Sequence, residues 1–211
     1  GGVTVDASLR ISHASITNNG QITVGETLDW VVDDITNRGV VLGHSNSVVS
    51  ANSMDNSGQW LSVGDAKLTV NDWVNSGATI TAGTLDWEGL VLTNSGQIQG
   101  SGIGLDAQQL HHTGVMLSSD GIDMTQSGNV SLEGWVLASN NVSMRVLGNV
   151  SNQAVISAND VLVSANALEN AGFIMARNGV MVTANSVMNE QLVSANQHIV
   201  MAAQTVSNNG V

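Results

Sequence analysis

One short turn signal recurs along this chain at a constant spacing, and the architecture follows from that spacing. The pattern Asn-x-Gly occurs at 18–20, 37–39, 56–58, 75–77 and 94–96, always nineteen positions after the previous copy. It returns in the same steps at 170–172, as Asn-Glu-Gln at 189–191, and at 208–210. A fixed period of this length predicts a solenoid, in which stacked repeats share one continuous core. We therefore expect residues 1–211 to form a single repeat domain.

The period is less regular in the middle of the chain. Between Gly96 and Gly172 the turn signal is degraded to His112-Thr113-Gly114, Leu132-Glu133-Gly134 and Asn152-Gln153-Ala154. These copies divide the segment into four coils whose lengths are eighteen, twenty, twenty and eighteen. The chain then consists of eleven coils, followed by a short stub, Gly210-Val211.

Within each coil the apolar residues alternate with polar ones. If the turn Gly is position 1, apolar residues occupy positions 3, 5, 9, 11, 13 and 16, as in Ile22, Val24, Leu28, Trp30, Val32 and Ile35. A spacing of two is typical of strands, so each coil is predicted to hold three short strands. In the first coil His13 interrupts the pattern at position 13.

One coil alone is too small to be stable. Burying about six modest side chains contributes on the order of 10 kcal/mol, whereas ordering the backbone of a whole coil costs roughly 20–35 kcal/mol. Each strand must therefore pair with the equivalent strand of the next coil. The predicted fold is all-β: a right-handed parallel β-helix, or solenoid, of about eleven 19-residue coils with three short strands per coil.

Asparagine dominates position 18 of the coil. We interpret this column as a corner, because Asn tolerates a sharp bend, and we expect its stacked amides to hydrogen-bond along the solenoid. Its members are Asn18, Asn37, Asn56, Asn75, Asn94, Asn152, Asn170, Asn189 and Asn208. A second, partial ladder is predicted at another bend, formed by Asn52, Asn71, Asn166 and Asn185.

Composition excludes several classes of partner. The net charge is −12 with only five Lys and Arg, which argues against nucleic acid and against an anionic membrane surface. No apolar run is long enough to cross a membrane as a helix, and we expect no signal peptide from the sequence pattern. The absence of cysteine rules out disulfides. Because the chain begins with Gly and ends within a coil, we interpret it as a fragment of a longer protein.

The sequence offers little chemistry. Enzymes built on β-helices usually carry long loops that wall a cleft, and no coil here is longer than twenty. The closest carboxylates are Asp33 with Asp34 and Asp86 with Glu88, which we interpret as solvated face charges. The pair His111-His112 lacks an evident third ligand. We therefore predict no catalytic residue, no metal site and no cofactor.

The irregular coils contain the best candidates for contact with a partner. Four tryptophans, at 30, 60, 73 and 87, fall on inward positions, whereas Trp135 is at position 2 and is predicted to point outward. Polar groups suited to recognition lie nearby in sequence. The predicted receptor-binding candidates are Gln108, Gln109, His111, His112 and Trp135.

The 19-residue period, the Asn-x-Gly corner and the Gly-x-Ile-x-Ala strand that follows it resemble the haemagglutinin repeats of filamentous haemagglutinin. Such repeats build the exoproteins of two-partner secretion systems, including contact-dependent growth inhibition effectors. The resemblance implies a protein secreted by, or displayed on the surface of, a Gram-negative bacterium. It implies export through an outer-membrane transporter, and a role in adhesion or in reaching a neighbouring cell through a receptor or glycan. The segment 96–154 departs from the repeat.

Three functions follow from these observations. The first is a rigid stalk segment of such an exoprotein, without catalysis. The second is a receptor-binding segment whose contact surface is formed by the irregular coils 96–154. The third is a polysaccharide-active enzyme, which would show a groove lined by carboxylates or by positive charge across several coils. We also expect weak end-to-end association, because the outermost strands are unpaired.

Overall fold

The computed structural model describes residues 1–12 and 15–211, so His13 lies outside the described residues. Within this part of the chain the structure contains 27 strands and no helix. The strands are β1 Gly2–Val5, β2 Leu9–Ser12, β3 Ile16–Asn18, β4 Gln21–Val24, β5 Leu28–Val31, β6 Asp34–Asn37, β7 Val40–Gly43, β8 Ser47–Asn56, β9 Gln59–Ser62, β10 Ala66–Asn75, β11 Ala78–Thr81, β12 Leu85–Glu88, β13 Val91–Asn94, β14 Gln97–Gly100, β15 Ile103–Ala107, β16 Gln109–His112, β17 Val115–Ser118, β18 Ile122–Gln126, β19 Val130–Leu132, β20 Trp135–Ala138, β21 Asn141–Val146, β22 Asn149–Asn152, β23 Val155–Ser164, β24 Ala167–Asn170, β25 Phe173–Asn189, β26 Leu192–Ala195 and β27 His198–Asn208.

Every strand pairs in parallel with the equivalent strand of a neighbouring coil. For example, Ala78 pairs with Gln59 on one side and with Gln97 on the other, each of them nineteen positions away. The strands therefore stack in three columns, which we call the first, second and third strand columns in the order in which they follow the Asn corner. Long strands such as β8 and β25 run through a bend and belong to more than one column. The predicted parallel β-solenoid of about eleven coils is confirmed; its handedness stays a prediction.

The alternating residues fill the solenoid as predicted. One continuous cluster of buried apolar side chains runs through the coils. All four tryptophans predicted to face inward are buried, and they pack in two pairs. Trp30 meets Trp60 edge to face, with ring centroids 5.2 Å apart, and the ring centroid of Trp73 lies 6.0 Å from that of Trp87.

The changes of period are absorbed in the bends and leave the strands in register. The first strands of successive coils pair as Gln97–Val115–Trp135–Val155–Phe173, which confirms coil lengths of eighteen, twenty, twenty and eighteen. In the first of these coils Ile98 still pairs with Thr79, nineteen positions earlier, but Ile103 pairs with Leu85, only eighteen positions earlier. The missing residue therefore belongs to the bend between the first and second strands.

Close stacking of successive backbones leaves no room for a side chain at corner glycines such as Gly39 and Gly77, although Ala154 and Gln191 occupy this position in two coils. A Cβ atom built on Gly77 would lie 2.0 Å from the carbonyl oxygen of Gly58, and one on Gly39 would lie 1.9 Å from that of Gly20. No real Cβ approaches a backbone oxygen so closely. The Gly column therefore sets how tightly one corner can lie on the next.

We expect Gly77→Ala to destabilise the protein by more than about 2 kcal/mol, because the added methyl group meets backbone that cannot move without disturbing the pairing of the coils. Gly102→Ala is the matched control, since a Cβ there would meet only the Thr84 methyl at 3.5 Å. That control should be neutral or slightly stabilising, because Ala restricts the unfolded chain. Urea unfolding followed by circular dichroism measures both changes, and equal midpoints for the two variants would contradict this account.

Candidate functional site

The asparagines of position 18 form a buried ladder of hydrogen-bonded amides. Asn75 shows the pattern: its Oδ1 accepts from Asn56 Nδ2 at 2.8 Å, and its Nδ2 donates to Asn94 Oδ1 at 2.7 Å. The same Nδ2 donates to the Gln97 carbonyl at 3.1 Å, and Thr79 Oγ1 donates to Asn75 Oδ1 at 3.1 Å. Both amide atoms of Asn75 are thus satisfied without water. The predicted stacking of amides is confirmed.

The ladder lies inside the solenoid. Each Asn is the last residue of a third-column strand, and from Asn37 to Asn94 the side chains are completely buried. The bend itself is made by the two residues that follow. In these coils position 18 therefore holds a buried side chain that both donates and accepts a hydrogen bond. Only part of the second predicted ladder forms: Asn185 donates to Asn166, which donates to Asn149, a residue outside the predicted set. Asn52 and Asn71 are exposed and do not hydrogen-bond to each other through their amides.

His112 replaces Asn in this ladder. Asn94 Nδ2 lies 2.9 Å from His112 Nδ1, and His112 Nε2 lies 3.0 Å from the Trp135 carbonyl oxygen. Because Nε2 faces an acceptor and Nδ1 faces a donor, the ring is assigned as the neutral tautomer with its proton on Nε2. The direction of the ladder fixes this assignment, since Asn94 Oδ1 already accepts from Asn75.

The burial of His112 corrects its expected role. The side chain has no exposed surface, so it cannot form part of a receptor-contact surface as we predicted. Burial lowers the pKa of His112; hydrogen bonds with Trp135 and Asn94 raise this pKa by less, and the nearby charge of His111 lowers it slightly. The sequence did contain the signal for this role, because His112 stands two residues before Gly114, in the position that Asn occupies elsewhere.

Leu132 interrupts the ladder, which begins again one coil later. Leu132 is fully buried and pairs with Asn152, the first amide of the second series. With no donor in the preceding coil, Asn152 Oδ1 accepts from the backbone N–H of Ala154 at 3.1 Å. Asn18, the first amide of the first series, is capped in the same way by the backbone N–H of Gly20 at 3.1 Å. The chain therefore contains two ladders that start identically.

The other contact candidates are exposed, but they lie on different faces. Gln109 and His111 are outward residues of β16 in the third strand column, and Gln108 lies in the bend before it. Trp135, which is 51% exposed as predicted, starts β20 in the first strand column. The structure therefore does not bring these residues together on one surface.

An open groove of about 900 Å³ runs along the third strand column from Val91 to Ser207. Small side chains such as Ser131 and Ser151 form its floor, and Gln109 and His111 lie at one end. Glu169 is the one carboxylate among the described residues that line it. The groove is lined by apolar residues such as Leu168 together with small polar ones.

A smaller depression of about 250 Å³ lies on the second strand column, over Gly104. Four exposed carboxylates line it together with Lys67: Asp86, Glu88, Asp106 and Asp123. A Cβ on Gly104 would lie 2.6 Å from Asp86 Oδ1, so the missing side chain creates the space. The predicted face charges Asp86 and Glu88 are thus part of a larger acidic cluster.

The described residues contain no group of three or more His, Asp or Glu side chains placed to hold a metal ion. Among them there is also no helix with the length and apolar character needed to cross a membrane. The chain has no significant match among protein-family models, curated proteins or solved structures.

We expect Asn75→Val to lower the free energy of unfolding by about 1–3 kcal/mol, because it leaves neighbouring buried amide groups without their partners. Lys67→Ala, which truncates an exposed side chain in the same coil, should change it by less than about 0.5 kcal/mol. Thermal and urea unfolding of the two variants provide the comparison. If both melt at the same temperature, the ladder does not stabilise the fold.

The ladder also predicts a specific pH dependence. The lowered pKa of His112 means that the unfolded chain binds its proton more readily than the folded chain. Stability from this site is therefore complete above about pH 6.5 and decreases as the pH falls from there through the lowered pKa. His112→Asn restores the regular ladder residue and removes the titrating group.

The measurement is the difference in unfolding free energy between the native chain and His112→Asn at several pH values from 7.5 to 5. Below pH 6.5, the unfolding free energy of the variant should rise relative to that of the native chain by up to about 1.4 kcal/mol per pH unit. The remaining ionisable groups are common to both proteins and cancel in this difference. A difference that stays constant across the range would show that His112 does not titrate differently in the folded protein.

Proposed function

We propose that this chain is a rigid stalk segment of a large bacterial surface or secreted exoprotein that serves adhesion or contact-dependent effector delivery. In this role the segment performs no catalysis. It sets the distance between other parts of the molecule and the producing cell.

One observation supports this proposal above the others: all three strand columns keep their parallel pairing through every change of coil length, and the register shift between Ala158 and Asp160 falls between the first- and second-column pairings. At ~4.8 Å per coil, eleven coils form a rod of roughly 50 Å. Parallel backbone pairing, the core and the amide ladders all run along the same axis. A rod of this construction resists bending, which is the mechanical property that a spacer needs.

The wider setting rests on the resemblance to haemagglutinin repeats. On that resemblance we propose that the parent protein lies outside a Gram-negative cell and is exported through an outer-membrane transporter. A chain without cysteine and with a net charge of −12 is compatible with that route, because it needs no disulfide and repels anionic surfaces.

A receptor-binding segment is the second candidate, and the groove along the third strand column favours it. Gln109 and His111 lie in this groove, whereas the burial of His112 and the different face of Trp135 remove both from it. A polysaccharide-active enzyme is the third candidate. The acidic depression around Asp86 and Asp123 is the carboxylate-lined feature that this alternative requires.

Two matched deletions in the full-length protein distinguish these functions. Deleting 39–95 removes three regular coils, and deleting 96–153 removes three irregular ones. Both deletions preserve the corner, by joining Arg38 to Gly96 or Ser95 to Ala154, and both shorten the rod by about 15 Å. For a stalk, cell adhesion or effector delivery should change equally in the two variants.

Loss of binding only when 96–153 is deleted would show that the chain acts as a receptor-binding segment and not as a stalk. Polysaccharide cleavage by the intact chain that disappears in the Asp86→Asn and Asp123→Asn variants would show that the chain is an enzyme and not a stalk. Circular dichroism and small-angle scattering confirm that each shortened protein is still an elongated β structure.

A further inference from the structure

The outer face of the first strand column is free of charge. Each coil contributes two outward residues to it, at positions 2 and 4, and none of these residues is Asp, Glu, Lys or Arg. We call this surface the neutral face. From the third coil onward its residues are Val40, Leu42, Gln59, Leu61, Ala78, Ile80, Gln97, Gln99, Val115, Leu117, Trp135, Leu137, Val155, Ser157, Phe173, Met175, Leu192 and Ser194.

The other two columns differ sharply from the neutral face. The chain has 17 acidic and five basic residues, and many of them are outward strand residues of the second and third columns. The second column presents Arg10, Asp29, Lys67, Asp86, Glu88, Asp106, Asp123 and Arg145, and the third presents Asp34, Asp55, Asp72 and Glu169. The three strand columns are built from the same repeat but present different outer surfaces.

The apolar character is strongest in the C-terminal half of the neutral face. Val115, Trp135, Val155, Phe173 and Leu192 pair in register, so their side chains form one continuous row across five coils. The chain contains five Trp, one Phe and no Tyr. Four of these aromatic side chains are buried, and the two that reach the surface, Trp135 (51% exposed) and Phe173 (43%), both lie in this row.

We propose that the neutral face is a docking surface for a second copy of this chain, packed sheet against sheet. Apolar rows of this extent are typical of interaction sites on soluble proteins. Both copies have the same coil spacing, so the rows of one match the grooves between rows of the other along the whole face. Two sheets packed in this way lie about 10 Å apart.

Charge favours this face over the other two. Two copies each carry a net charge of −12, so their approach through the acidic columns would bring carboxylates together. At the edges of the neutral face, exposed Arg177 follows the Phe173 strand on one side, and exposed Glu190 precedes the Leu192 strand on the other. When two parallel copies are related by a two-fold axis, the edges that carry Arg177 and Glu190 meet across the interface, as do the edges that carry Asp120 and Glu133, so opposite charges meet only towards the C-terminal end of the face.

The area sets the strength of the association. Over about nine coils of ~4.8 Å, a face one four-residue strand wide covers roughly 550 Å² per copy. Stable complexes bury about 800 Å² per partner. The dimer should therefore be reversible and should populate with rising concentration. This inference is independent of the proposed stalk role, since a spacer can act singly or in pairs.

Sedimentation equilibrium of the intact chain tests the proposal. The double variant Leu137→Lys with Val155→Lys places two charges at the centre of the neutral face. The matched control, Ser131→Lys with Ser151→Lys, places the same charges on outward positions of the third column in neighbouring coils. We expect the native chain to dimerise, the neutral-face variant to dissociate at least tenfold more readily, and the control to change less than twofold.

Circular dichroism and the melting temperature establish that both variants are folded. A native chain that is strictly monomeric at millimolar concentration overturns the proposal, as does equal weakening by the two double variants. End-to-end association is the remaining alternative, and Val206→Lys tests it by placing a charge at a half-exposed position in the last coil. If that change abolishes association while the neutral-face variant does not, the copies associate end to end and not face to face.

Discussion

A buried amide must satisfy both its nitrogen and its oxygen, and this requirement connects each coil to the next. Asn37, Asn56 and Asn75 meet it by donating to the amide of the following coil and accepting from that of the preceding one. Water cannot reach these groups, so a coil that shifted by one residue would leave two of them unpaired inside the core. The ladder therefore fixes the register at the corner, and this also sets the register of the strands that follow the corner.

This constraint explains where the chain tolerates variation. The spacing between the ladder residue and the turn residue is the same in every coil, whereas residues are gained and lost in the two other bends. His112 can enter the ladder because an imidazole, like an amide, offers one donor and one acceptor. Leu132 can interrupt it because His112 ends on a backbone carbonyl and Asn152 begins on a backbone N–H.

Much of this fold was predictable because the same residue types recur at the same positions. The period gave the coils, and the alternation within a coil gave the inward side of each strand, including the outward direction of Trp135. The burial of His112 was missed because position 18 was treated as a corner of the surface, and a histidine beside a second histidine resembles a contact site. The separation of Gln109 from Trp135 was also missed. The two residues were grouped because they are close in sequence, but the corner between them places them on different strand columns.

The outer surface obeys a weaker rule than the core. An inward residue must stack on its equivalents, so Val, Ile, Leu and Ala recur there, whereas an outward residue meets only solvent and its neighbours in the column. Acidic side chains can occupy any outward position without disturbing the ladder, yet they occur on two columns and are missing from the third. Stability of the solenoid does not account for that difference, because all three columns have the same backbone pairing. The chain has a net charge of −12, yet the outer face of the first strand column carries no charge. This difference is explained if that column is the one that another molecule covers.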